Sequence, residues 1–183
     1  MIDDCLAVIM AGGDSQRMGR DKASLVLGEQ TLMQRVAEIM QVVFPQVVVS
    51  VRTPRADIAL PQVCDVFSDL GPLAGLCAGL DYASQDGVPW IFAVATDMPF
   101  LRPALIEQLA NYRSGVDAVV PFVSARVEGL TIGHSAHVSR TGFVAATGFR
   151  EPGAVTDTFA SWLDAEQLDP GDCRLRVGQL AAV

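Results

Sequence analysis

Lysine is almost absent from this chain: Lys22 is the only one in 183 residues, against twelve arginines. Cysteine is scarce and scattered. Cys5, Cys64, Cys77 and Cys173 form no C-x-x-C pair, which argues against a zinc site or a disulfide framework and leaves buried free thiols in a reducing cytoplasm as the plain expectation. There are two histidines, His134 and His137. Their i, i+3 spacing would suit a metal on a helix, but no third ligand accompanies them, and they read as surface residues. Long apolar runs are missing too. The longest, near residues 42–51 and 88–96, fall well below the roughly 20 residues that a membrane-spanning helix needs. No basic segment precedes an apolar one at the N-terminus, so neither secretion nor membrane attachment is expected, and the cytoplasm is. Positive charge is in deficit, with a formal net charge of −8. That disfavours nucleic acid, whose phosphates call for Lys/Arg surfaces, but not a nucleotide, which needs only a locally positive loop. No linker, repeat or low-complexity tract divides the sequence, and its length suits a single domain over residues 1–183 with one sizeable core.

Against that background one stretch stands out. An apolar run from Cys5 to Met10 reads as a buried first strand, and residues 12–22 behind it hold three glycines, two arginines and the lone lysine. A lysine is a compact point charge on a flexible stem and an arginine a planar fork, so the two are not interchangeable at a phosphate. The loop is therefore read as built to hold a polyphosphate. It is neither a P-loop, since Lys22 follows Asp21 and precedes Ala23, nor a dinucleotide fingerprint, since Gly12 and Gly13 are adjacent and the next glycine is Gly19.

Strand and helix signals then alternate, the pattern of a mostly parallel sheet with helices on both faces. Leu32, Val36, Ile39, Met40 and Val43 recur at helical spacing and predict a helix over 31–43. Val47 to Val51 is a β-branched strand, and Val63 to Phe67 a weaker one. Pro72 opens a helix through about Ser84, and Trp90 to Ala95 is a further central strand. Pro103 starts a helix whose Leu105, Ile106 and Leu109 face inward, and Ala118 to Pro121 is again a strand. The expected architecture is a three-layer α/β/α sandwich, Rossmann-like, with ligands at the carboxyl ends of the strands. Asp97 stands just past the strand 90–95, where a carboxylate can bind Mg²⁺ through oxygen. Asp69, before Gly71-Pro72, can accept hydrogen bonds from a base or ribose. Residues 124–158 are rich in Ser, Gly, Thr and Ala with weak periodicity, followed by a helix around Thr158–Leu168.

Three segments carry a family resemblance. Met10-Ala11-Gly12-Gly13-Asp14-Ser15-Gln16-Arg17-Met18-Gly19-Arg20-Asp21-Lys22 fits the nucleotidyltransferase loop L-A-G-G-x-S-x-R-M-G-x-D-K at every position but the first. With Asp69-Leu70-Gly71-Pro72-Leu73-Ala74-Gly75-Leu76 and Thr96-Asp97-Met98-Pro99-Phe100-Leu101, it makes the chain closely resemble the molybdenum cofactor guanylyltransferases over about residues 5 to 122. The resemblance implies the nucleotide-diphospho-sugar transferase fold, with residues 1–122 as the nucleotide part and 123–183 as the acceptor side. It implies GMP transfer from GTP to molybdenum-molybdopterin, with release of pyrophosphate. It also implies Mg²⁺ on Asp97, phosphates held by Arg17, Lys22 and the backbone of Met10 to Gly13, and nucleoside contacts at Ser50, Asp69 and Gly71, with Asp65 a lesser candidate. Ser50 departs from the family's usual asparagine and keeps only a hydroxyl for hydrogen bonding. The family's His-Pro-Leu and Asn-x-Asn-Thr-Pro segments are missing from the last third; a diverged half, a shortened subtype and an altered reading frame all account for that. Alternatives at this stage are a CTP-using cytidylyltransferase acting on the same pterin, a sugar-phosphate nucleotidyltransferase, and a nucleotide-binding module without catalysis. Proteins that mature molybdoenzymes are further implied partners.

Overall fold

The computed structural model describes residues 1–12, 25–64, 72–115, 118–120, 124–127, 130–133, 141–145 and 180–182. Through them run β1 (Cys5–Met10), β2 (Val26–Leu27), β3 (Gln30–Thr31), α1 (Leu32–Val43), β4 (Gln46–Val51), β5 (Gln62–Cys64), α2 (Pro72–Gln85) and β6 (Trp90–Ala95). They are followed by α3 (Pro103–Ala110), β7 (Ala118–Val120), β8 (Ser124–Val127), β9 (Leu130–Gly133), β10 (Thr141–Ala145) and β11 (Leu180–Ala182). Seven of the described strands form one sheet, in the order β11-β7-β10-β6-β1-β4-β5. β5, β4, β1 and β6 are parallel, β10 is antiparallel to β6 and β7, and β11 pairs parallel with β7. β2–β3 and β8–β9 are separate two-stranded hairpins.

Parallel strands covered on both faces become continuous apolar runs, and β1 is such a run, with Cys5 to Ile9 at most 1% exposed. Alternation along the strands splits the interior into two layers. Cys5, Ala7, Ile9, Val47, Val49, Val51, Phe92 and Val94 pack with Met33, Val36, Met40 and Val43 of α1 and with Ile106 and Leu109 of α3. Leu6, Val8, Val48, Val63, Ile91 and Ala93 pack on the other side, against Leu76, Cys77, Ala78, Leu80 and Ala83 of α2. The three-layer sandwich read from the sequence is thus the observed arrangement, with α1 and α3 on one face and α2 on the other. α1 starts at a capping box, in which the Gln34 N–H donates to Thr31 Oγ1 at 3.1 Å and the Thr31 N–H to Gln34 Oε1 at 2.9 Å. α2 lies close on the sheet through small residues: a Cβ on Gly79 would stand 2.8 and 2.9 Å from the two Val8 Cγ atoms.

The predicted strands 5–10 and 90–95 and the helix starts at Pro72 and Pro103 are observed as read. Two readings are corrected. Leu105 does not face inward but is 40% exposed, because α3 turns only Ile106 and Leu109 to the sheet. Cys64 is exposed, lying at the end of an edge strand, whereas Cys5 and Cys77 are buried as expected. Within 124–158, where the sequence offers only weak periodicity, the structure has β8, β9 and β10. The hairpin β2–β3, turned at Gly28 with φ 70°, has no counterpart in the sequence reading. The remainder of the predicted strand 63–67, the helix around Thr158–Leu168, both histidines and Cys173 lie outside the described residues.

Two outcomes test this packing. Gly79→Ala is expected to destabilise by about 1–3 kcal/mol through overpacking, against the roughly 1 kcal/mol by which alanine is the better helix former. In urea unfolding, combining it with Val8→Ala should leave the protein more stable than the sum of the two single losses; strict additivity would show that the contact is relaxed at no cost. Burial pushes the Cys5 thiol well above its usual value, with Arg113 opposing the rise. An alkylating reagent at mildly alkaline pH should therefore label Cys64 long before Cys5, and equal rates would contradict this.

Candidate active site at the carboxyl ends of the parallel strands

Register brings the sequence-predicted residues together. Met10 pairs with Ser50 of β4 on one side and with Ala95 of β6 on the other, while Ser50 pairs with Val63 of β5. The carboxyl ends of all four parallel strands therefore stand abreast. Beyond them continue Ala11 and Gly12 from β1, Arg52 from β4, and Thr96 and Asp97 from β6. The Ala11 N–H donates to the Ser50 carbonyl at 2.9 Å, which ties the start of the glycine-rich loop to the strand carrying Ser50. Ser50 itself is 1% exposed. As the residue between Val49 and Val51, which belong to the α1 side, it points to the α2 side of the sheet.

Asp97 sits in a turn that the Met98 N–H closes onto the Ala95 carbonyl at 3.3 Å. Its Oδ1 is shut off from solvent, and Thr96 before it is only 7% exposed. A hard carboxylate oxygen, buried at the carboxyl end of the central strands, is the donor that Mg²⁺ takes. No cluster of three or more His, Cys, Asp or Glu occurs among the described residues. That buried oxygen fits a hard cation shared with the phosphates of a ligand.

The wall following Ser50 is held by one amide side chain. Gln62 Oε1 accepts the Arg55 N–H at 2.8 Å, and its Nε2 donates to the carbonyls of Arg55 at 2.7 Å and Ile58 at 3.1 Å. Arg55 pairs with Asp57 at 2.7 Å, and that guanidinium hydrogen bond lowers the Asp57 carboxyl below its usual value.

Of the sequence-predicted site residues, the structure brings Met10, Ala11, Gly12, Ser50 and Asp97 to one edge. Gly13, Arg17, Lys22, Asp65, Asp69 and Gly71 lie outside the described residues. Arg52 and Gln62 are not singled out by the sequence; the only signal for Gln62 is a polar residue opening a short strand. No helix among the described residues is long and apolar enough to cross a membrane.

Comparison with known proteins agrees with this geometry. The MobA-like NTP transferase domain model matches residues 7–151. A probable molybdenum cofactor guanylyltransferase of Opitutus terrae is 42% identical over 116 residues, covering 61% of this chain and 57% of that protein. Another, from Pelotomaculum thermopropionicum, is 37% identical over 116 residues, 62% of this chain and 55% of its own. The chain thus spans little more than half the length of these curated relatives. Among solved structures, molybdopterin-guanine dinucleotide biosynthesis protein A from Archaeoglobus fulgidus superposes with a TM-score of 0.62 at 19% identity, over 97% of this chain and 82% of that one. The 2-C-methyl-D-erythritol 4-phosphate cytidylyltransferase from Thermus thermophilus gives 0.59 at 18% identity, over 97% and 87%. These neighbours fix the fold as that of the nucleotide-diphospho-sugar transferases. The strand-end site and the match over residues 7–151 together establish that the chain belongs to the MobA-like NTP transferase domain family.

Proposed function

We propose that the chain is a nucleotidyltransferase that moves GMP from GTP to the terminal phosphate of molybdenum-molybdopterin. The observation that carries this reading is the convergence of Gly12, Ser50 and Asp97 on one edge of the parallel sheet, at the point where the only lysine-bearing loop begins. The relatives, named as molybdenum cofactor guanylyltransferases and as a molybdopterin-guanine dinucleotide biosynthesis protein, support the choice of guanine nucleotide and pterin.

In this reading the backbone N–H groups of Ala11 to Gly13, with Arg17 and Lys22, hold the β- and γ-phosphates. Asp69 and Gly71 contact the nucleoside, with Ser50 on the same side. Asp97 would hold Mg²⁺, which when bound supplies neutralisation of phosphate charge. An oxygen of the acceptor phosphate attacks the α-phosphorus in line. A new P–O bond forms, the bond to the bridging oxygen breaks, and pyrophosphate leaves with that electron pair. Such transfer rests on positioning and electrostatics, and it needs no general base of shifted pKa. Residues 1–122 hold the nucleotide and residues 123–183 contribute to the acceptor side, within one domain.

The test is pyrophosphate release from the purified chain with Mg²⁺, comparing GTP with CTP, each with and without molybdenum-loaded molybdopterin. Release requiring both GTP and the pterin is the expected result; GTP binding without release would make the chain a nucleotide-holding module. Lys22→Ala should lower turnover by roughly 10²–10³-fold, the usual loss for one missing donor at developing charge; near-normal turnover would remove Lys22 from the site. In thermal-shift measurements, Asp97→Asn should lose the extra stabilisation that Mg²⁺ gives to the GTP complex. A Mg²⁺ increment equal to that of the unaltered chain would exclude Asp97 as the ligand.

A further inference from the structure

The turn that carries Asp97 also carries an exposed aromatic ring. Phe100 is 72% exposed, yet its neighbours Pro99 and Leu101 are both buried, and Leu101 belongs to the apolar layer beneath α1 and α3. The Leu101 N–H donates to the Met98 carbonyl at 3.3 Å, so the backbone on either side of the ring is fixed. The ring itself is held from one side: the Arg35 guanidinium lies over it, 5.7 Å from its centroid, within cation–π range. Arg35 is the fourth residue of α1. That helix must run back from the ligand end of β1 to the start of parallel β4, so its first turns lie at the ligand end of the sheet.

This arrangement is one-sided in a useful way. Ser50 points to the α2 side of the sheet, whereas Phe100 and Arg35 belong to the α1 and α3 side, with the Asp97 turn between them. A transferase of two planar-headed substrates needs two such places, one on each side of the reacting phosphates. An oriented ring with an open face costs little conformational entropy when a flat ligand stacks on it.

We propose that Phe100, held in place by Arg35, is the stacking platform for the planar ring system of the acceptor. This rests on the nucleotidyltransferase reading above, and it assigns the pterin to the α1 and α3 side of Asp97. The base of the nucleotide then lies on the α2 side.

Calorimetric binding to the full chain tests it, with molybdopterin and GTP as separate probes. Phe100→Ala should weaken molybdopterin by about tenfold, the scale of a lost aromatic stack, and leave GTP affinity within about twofold. Phe100→Tyr, which keeps the ring, should restore molybdopterin binding. Arg35→Met should weaken it in the same direction by a smaller factor, and unchanged affinity there would remove Arg35 from the platform. Molybdopterin bound equally well by Phe100→Ala and the unaltered chain would overturn the inference while leaving the proposed function standing, and loss of GTP affinity instead would make the ring a base platform and also overturn it. Binding of GTP but not molybdopterin by the unaltered chain would sink the acceptor assignment of the proposed function, and this inference with it.

Discussion

Strand β1 has a parallel partner on each edge and helices on each face, so its backbone polar groups are spent within the sheet and its side chains within two apolar layers. The rest of the structure is arranged around that fixed element. Because a slip of one residue would turn every apolar side chain to the opposite layer, the register is tightly specified. The same register places Met10, Ser50 and Ala95 side by side. The position of the candidate site is therefore a consequence of burying Leu6, Val8 and Ile9, and no separate device is required to bring its parts together.

The two ends of this sheet are finished differently. At the amino ends, Arg113 reaches back to Asp4 at 3.0 Å and covers the ring of Trp90 at 5.4 Å. That ties the chain beyond α3 to the start of both central strands. At the carboxyl ends the described polar groups include Ser50, Thr96 and Asp97, of which the first two are buried.

Legibility in the sequence follows burial. β1 and β6 are readable to the residue because a strand covered on both faces is an uninterrupted apolar run, and α1 because its stripe from Val36 to Val43 has a helical period. β10 is not. Its Thr141-Gly142-Phe143-Val144-Ala145 holds only two large apolar residues, and its place between β6 and β7 is set by backbone pairing with strands distant in sequence. Pairing of that kind leaves no periodic mark. The small hairpin β2–β3 is shorter than any period that could reveal it. Of the candidate site, Asp97 and the start of the loop stand out by their position after a strand and Ser50 only through the family resemblance, whereas the contacts of Gln62 and Phe100 reach loops and helices that a linear pattern does not join.

The difference between sequence kinship and structural kinship has a physical basis. Relatives at about 40% identity cover little more than 60% of the chain, yet distant structures at 19% identity cover 97% of it. The close packing of Gly79 on Val8, the apolar strands and the strand-end polar groups all lie in the first part of the chain. Beyond residue 118 the sheet is extended by β7, β10 and β11 through main-chain hydrogen bonds, which any sequence of adequate β-propensity can make. An edge built in this way can change its side chains without losing the fold.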